Sequence, residues 1–262
     1  MTRLPLTFNC GGAQLAGTLD TAPGTTGLLL VTGGNEIRSG AFSGQAQLAN
    51  EVARAGFPVM RFDRRGTGDS EGENRGFRRS RKDIAAALAA FRAMAPQVER
   101  VVAFGNCDAA AALMLMGGEG FDALVLSNPW AIDETESEDT TPPASAIRAR
   151  YIEKLRNPRE IVRLLGGKVD YRKLLKGLAK AASTKTNGAP GSLSEEIERG
   201  LAAFDGPVRI LIAERDRTAQ VFLERWNAQD PRIARCADAG HSYAEPHARQ
   251  WLRKQILAAL RS

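Results

Sequence analysis

The stretch Arg100-Val101-Val102-Ala103-Phe104-Gly105-Asn106-Cys107-Asp108-Ala109-Ala110 decides how this chain is read. Val101 to Phe104 is a short apolar run of the kind buried on both faces of a parallel sheet. Gly105-Asn106-Cys107-Asp108 then turns, and an Ala/Leu/Met-rich segment of helical character follows. A strand, a sharp turn and a helix are therefore predicted, with Cys107 on the turn. A side chain on so tight a turn needs small neighbours, and Gly105 and Ala109 are small. The turn sets Cys107 at the carboxyl end of a strand and the N-terminus of a helix. Free N–H groups and the helix dipole favour an anion there, whether a thiolate or a carbonyl-derived oxyanion. The bland reading of Cys107 is a small buried hydrophobe, the common fate of a free cysteine.

Outward from that stretch the pattern repeats. Leu4–Phe8 and Leu15–Leu19 read as two strands around Gly11-Gly12, and Gly27–Val31, Pro58–Phe62, Ala123–Ser127, Val208–Ala213 and Ile233–Cys236 as further strands. Residues 43–55, 79–94, 219–228 and 245–260 have helical spacing of their apolar residues. Strand–helix alternation implies a mostly parallel central sheet with helices on both faces. The alternation stops between about residue 130 and residue 205, which is read as a helical cap insertion. The core would then be 1–129 and 206–262. Asp63 and Asp69, in the Gly-punctuated loop after Phe62, are expected to bond locally to backbone and arginine; the loop lacks the Gly-Lys-Ser/Thr ending of a phosphate loop.

Composition excludes several classes. The chain has 262 residues, and 43% hydrophobic content is too high for general disorder. Three cysteines exclude a disulfide scaffold, and no apolar run approaches the roughly 20 residues of a membrane span. The opening residues carry no apolar secretory region, so a cytoplasmic, reducing setting is expected. The net charge of +6 is unevenly spread: residues 145–185 hold twelve Lys/Arg against three Asp/Glu, a net +9. That segment has only Tyr151 and Tyr171 as aromatic residues and no nucleic-acid motif, so nucleic acid is not an expected partner. Cys10 and Cys236 have no metal-like spacing, and no metal or cofactor is expected.

The strand–Gly-x-Cys-x-Ala–helix context resembles the nucleophile elbow of α/β-hydrolases, usually Gly-x-Ser-x-Gly. A thiol nucleophile needs a base. Of the two histidines, His241 lies in a loop after the last strand, while His247 falls in the closing helix and is expected to face solvent. The orienting acid should follow the preceding strand, and Asp216 fits best. A helix N-cap before Thr218 is the other role open to Asp216, and Glu214 is the reserve acid. The order Cys107, Asp216, His241 is that of α/β-hydrolases. The oxyanion donors are expected to be the backbone N–H of Asp108 and that of Gly34 or Asn35. Trp130 and Arg38 are the expected substrate contacts.

Over nearly its whole length the chain resembles α/β-hydrolases, and the expected fold class is α/β, an α/β-hydrolase fold. More narrowly it resembles the exosortase A system-associated hydrolase 1 group, through Cys107-Asp108, Arg61 to Gly72, Asn128-Pro129-Trp130 and Asp216-x-Thr218-Ala219. It differs from that group in Ala41-Phe42 for a Ser-His pair, in Ala109 for glycine, and in lacking an arginine shortly after Trp130. The resemblance implies a bacterial enzyme encoded with exopolysaccharide and exosortase functions, beside an acyl-carrier protein and an acyl-CoA ligase. Dienelactone hydrolase is similar in using a Cys-His-Asp triad.

These readings converge on an acyl hydrolase or acyltransferase working through an acyl-thioenzyme. Thiolate attack on a thioester is nearly isoenergetic, whereas an amide leaving group needs protonation, so an ester, lactone or thioester is the expected substrate. It is a small molecule or is carrier-bound, with an acyl-carrier protein or CoA thioester drawn to the basic segment. The alternatives for that segment are plain solvation of outer helix faces and a catalytically silent hydrolase-fold protein that binds an acidic partner there.

Overall fold

Successive residues of the central strands enter two different cores. Leu29 and Val31, Val101 and Ala103, Leu124 and Leu126, and Ile210 and Ile212 bury on one face of the sheet. Their neighbours Leu28 and Leu30, Val102 and Phe104, Val125, and Leu211 and Ala213 bury on the other. This is the period-2 alternation of a strand, and both faces are apolar because helices cover both.

The computed structural model describes residues 1–133 and 191–262. Among these lie eight strands: β1 (Arg3–Cys10), β2 (Ala13–Asp20), β3 (Thr26–Val31), β4 (Val59–Phe62), β5 (Arg100–Asn106), β6 (Ala123–Ser127), β7 (Val208–Ala213) and β8 (Ile233–Cys236). The helices are α1 (Gly44–Arg54), α2 (Arg81–Met94), α3 (Asp108–Leu115), α4 (Leu193–Ala202), α5 (Arg217–Arg225) and α6 (Pro246–Arg261). One sheet has the order β1-β2-β4-β3-β5-β6-β7-β8. β1 and β2 form an antiparallel hairpin, β2 runs antiparallel to β4, and every pair from β4 to β8 is parallel. α1 and α6 cover one face; α2, α3, α4 and α5 cover the other.

β6, β7 and β8 occupy the residues that the apolar pattern indicates. α5 does not: it begins at Arg217 and ends at Arg225, two and three residues ahead of its apolar spacing. The cause is Asp216, whose carboxylate caps the helix and sets its start. Within the span read as a cap, Leu193, Ile197 and Leu201 of α4 join the buried cluster of α3. The remainder of that span, residues 134–190, includes the basic stretch 145–185 and lies outside the described residues. Among the described residues no helix is long and apolar enough to cross a membrane.

Candidate active site

β5 ends at Asn106, α3 begins at Asp108, and Cys107 alone makes the turn with φ 63° and ψ −127°. A non-glycine residue there costs about 1–3 kcal/mol and persists only where its surroundings over-determine it. The surroundings do so. Cys107 N–H donates to Ser127 O at 3.0 Å, and Cys107 O accepts from Ala110 N at 3.1 Å and Trp130 N at 3.2 Å. Gly105 is required by close approach: a Cβ on it would lie 2.7 Å from the carbonyl carbon of Ala109. Gly33 is required likewise, since its Cβ would meet Asn106 O at 2.6 Å. The loop after β3 thus presses directly on the turn.

His241 Nδ1 lies 2.8 Å from Asp216 Oδ2. The two roles weighed for Asp216 coexist. The same carboxylate accepts from Thr218 N at 3.1 Å and Ala219 N at 3.3 Å, capping α5 while holding the imidazole. The side chain of Asp216 is 6% exposed, so its charge acts at full strength on His241. The hydrogen bond to Asp216, then that to Cys107, push the His241 pKa up to about 10 against the opposing effect of burial. Both partners thus favour the imidazolium form of His241. Glu214 is exposed and gives its backbone N–H to Cys236 O. His247 is exposed and lies 3.0 Å from Ala237 O.

Residues that the motif reading leaves without a role fix the His241 loop. Asn106 Nδ2 donates to His241 O at 3.2 Å, and Asn128 Nδ2 donates to Asn106 Oδ1 at 3.0 Å. Asn128 is fully buried with φ 43°, and its Oδ1 accepts Ala213 N at 2.8 Å, tying the ends of β5, β6 and β7 together. Glu245 accepts the Gly240 N–H, Tyr243 OH lies 2.8 Å from Ser127 Oγ, and Tyr243 stacks on Trp251. A signal existed for the asparagines: both stand at the end of an apolar strand, where a side-chain amide is the natural bridge between loops.

The expected oxyanion donors divide. Asp108 opens α3, where a first-turn N–H has no intrahelical acceptor. Gly34 N–H is engaged, donating to Asp108 Oδ1 at 2.7 Å. Arg64, itself 5% exposed, closes the unit by donating to Gly34 O and, at 3.3 Å, to Asp108 Oδ2. The Asn35 side chain accepts from Asn74 at the surface. Arg38 pairs with Asp63 and Asp69 and donates to Thr18 Oγ1 at 3.1 Å. Two carboxylates hold its guanidinium to the β4 loop, and it does not line the cavity at Cys107. Asp63 and Asp69 make the local bonds expected of them, Asp63 also accepting Asp69 N at 3.0 Å.

Trp130 does line that cavity. It has about 320 Å³ and is walled by Cys107, Asp108, Gly34, Phe77, Trp130 and Leu193, among others. The walls are mostly apolar, suited to an acyl chain with a few polar groups at its reacting end. No group of three or more His, Cys, Asp or Glu among the described residues is placed to hold a metal.

No curated protein matches the chain in sequence. Its backbone is similar to an alpha/beta hydrolase, GrgF, from Penicillium sp. sh18 (16% identity, TM-score 0.65, covering 100% of this chain and 98% of that one). It is also similar to esterase Pf2001 of Pyrococcus furiosus (15%, TM-score 0.62, 99% and 90%) and to a thioesterase domain from the curacin biosynthetic pathway (17%, TM-score 0.59, 98% and 100%). At such identities these likenesses speak for the fold. The alpha/beta hydrolase family matches residues 28–254, from β3 to the closing helix and so through all the turns described above, and the chain belongs to that family.

Proposed function

We propose that this hydrolase is a cysteine-dependent acyl hydrolase or acyltransferase acting on an ester, lactone or thioester. One observation carries the reading: His241 sits 2.8 Å from a buried carboxylate on one side and against a cysteine on a strained turn on the other. The proton of the pair resides on His241, where Asp216 holds the imidazolium, and Cys107 meets the substrate as the thiolate. The thiolate attacks the substrate carbonyl, and the oxyanion forms beside Asp108 N–H. The leaving group departs with the proton from His241, leaving an acyl chain on Cys107. Water or another acceptor then gives its proton to His241 and takes the acyl group, restoring the thiolate–imidazolium pair.

Phe77, Trp130 and Leu193 would enclose the acyl chain. The division into a core (1–129 and 206–262) and a cap (130–205) belongs to the same proposal, with the +9 stretch as the side that an anionic carrier meets. The genomic association with exopolysaccharide and exosortase functions, and a cytoplasmic setting, rest on the resemblance and on the sequence.

A second reading has its own observation. The Asp108 carboxylate on Gly34 N–H occupies a donor that an oxyanion would use, which suits a silent hydrolase-fold protein that binds an acidic partner. Intact mass after incubation with 4-nitrophenyl esters and acyl thioesters separates the two. An acyl adduct lost in Cys107→Ala supports catalysis. An unmodified chain, with Cys107 also inert to iodoacetamide at neutral pH, overturns it.

A further inference from the structure

A second cavity, of about 550 Å³, is lined in part by Arg64. Its walls include Arg64, Arg65, Arg75, Arg79, Arg81 and Lys82 but only two carboxylates, Glu73 and Asp83. Asp83 is committed to Arg65, whose Nη2 stands 3.2 Å from it. Arg81 is paired with Glu119. Among the described residues Arg75, Arg79 and Lys82 have no ion pair, so the cavity keeps an excess of positive charge facing its interior.

Two further observations turn this excess into a site. The cavity wall includes Ser80, Arg81, Lys82 and Asp83, the cap and first turn of the 14-residue helix α2. That terminus presents N–H groups and the positive end of the dipole, the arrangement that holds phosphate. Arg64 is 95% buried and its Nη1 has no hydrogen-bond partner among the described residues.

Arg64 and the turn before α2 form a wall that links the linings of the two cavities, which have no residue in common. Arg64 lines the cationic one while its Nη2 bonds Gly34 O and Asp108, which line the one at Cys107. The turn Phe77–Arg79 gives Phe77 and Arg78 to the Cys107 side and Arg79 to the cationic side. An acyl donor lying along this wall would have its reacting carbonyl at Cys107 and its leaving group over the arginines.

We propose that the cationic cavity binds a phosphate group on the leaving-group half of the acyl donor. The substrate class is thus an acyl thioester whose thiol carries a phosphate. This deepens the acyl-transfer reading and rests on it, but its test requires no turnover.

Calorimetric titration of the full chain with 4′-phosphopantetheine, with pantetheine and with inorganic diphosphate tests it. The phosphorylated thiol binds at least about tenfold more tightly than pantetheine, with an affinity that falls as salt rises. The double substitution Arg75→Gln/Arg79→Gln, at exposed positions, removes most of that preference. Equal binding of the two thiols overturns the proposal. A preference untouched by the double substitution overturns the location. Diphosphate binding as tightly as the phosphorylated thiol makes the cavity a free-phosphate site and overturns the assignment to substrate. Failure of the acyl-transfer reading is seen separately, as a Cys107 that never acquires an acyl group.

Discussion

Asp108 Oδ1 accepts the N–H of Gly34 at 2.7 Å. The residue after the candidate nucleophile thereby clamps the β3 loop onto the turn, with Arg64 as the third member. Asp108→Asn keeps an oxygen for Gly34 but leaves the Arg64 guanidinium buried without its counter-charge. Losing such a charged hydrogen bond costs about 1–3 kcal/mol, read as a lower urea midpoint. The same change removes a negative charge from the place where an oxyanion forms. Acylation of Cys107 by a 4-nitrophenyl ester then speeds up by roughly tenfold, one decade per 1.4 kcal/mol of barrier. A rate that falls or stays level shows that the negative charge of Asp108 does not oppose the oxyanion.

Cys107→Gly separates folding from chemistry. The left-handed φ of 63° is strained for cysteine and free for glycine. The variant is expected to gain stability, by about 1 kcal/mol, while acyl-adduct formation disappears. Thermal melting and intact mass on one preparation check both halves. A stability loss instead means that the thiol contributes packing or hydrogen bonding worth more than the strain.

The strands of the sheet and the turn at Cys107 were legible because apolar runs and glycines are local signals. Val101 to Phe104 reads as a strand in isolation, and Gly105 marks the tight turn before any neighbour is known. What sequence could not supply was competition between partners. Arg38 stands after the Gly33-Gly34 loop and reads as a substrate contact, yet Asp63 and Asp69, brought in by β4, reach it first. Gly34 N–H reads as a free donor, yet a side chain 74 residues away takes it. Asp216 posed a choice between cap and orienting acid that dissolves in three dimensions, since one carboxylate has lone pairs for both. The cationic cavity gathers Arg64 with Arg75 and Arg79, whose grouping depends on how the loop before α2 folds back on β4.

Gly105→Ala tests the packing of the turn. Its Cβ would meet backbone atoms of Ala109 at 2.7–2.8 Å, and backbone cannot rotate aside as a side chain can. α3 must shift, costing about 1–3 kcal/mol, as overpacking does. Because α3 carries Asp108 and abuts Cys107, acylation falls too. A control, Gly44→Ala, places its Cβ in open space and leaves the melting temperature nearly unchanged. Similar effects of the two substitutions would mean that α3 yields easily and the turn is not tightly packed.

Asp216 first, and Cys107 second, hold the His241 imidazolium in the folded state, raising its pKa from 6.5 to about 10. A group raised on folding stabilises the protein fully below its unfolded pKa, and that contribution drains away as pH rises through the folded one. The contribution is thus complete below about pH 6.5 and lost by about pH 10; with 41% of the His241 side chain exposed, solvent screens its size. NMR titration of the His241 ring should show the charged form persisting well above pH 7. In Asp216→Asn the titration moves down toward 6.5, because the largest of the raising causes is gone while burial still opposes charge. The N-cap survives in that variant, since asparagine also accepts from Thr218 and Ala219 N–H. Melting temperature therefore changes little at high pH and drops more near neutrality, where the imidazolium has lost its partner. A His241 titration that stays put in Asp216→Asn would show that Asp216 is only the helix cap.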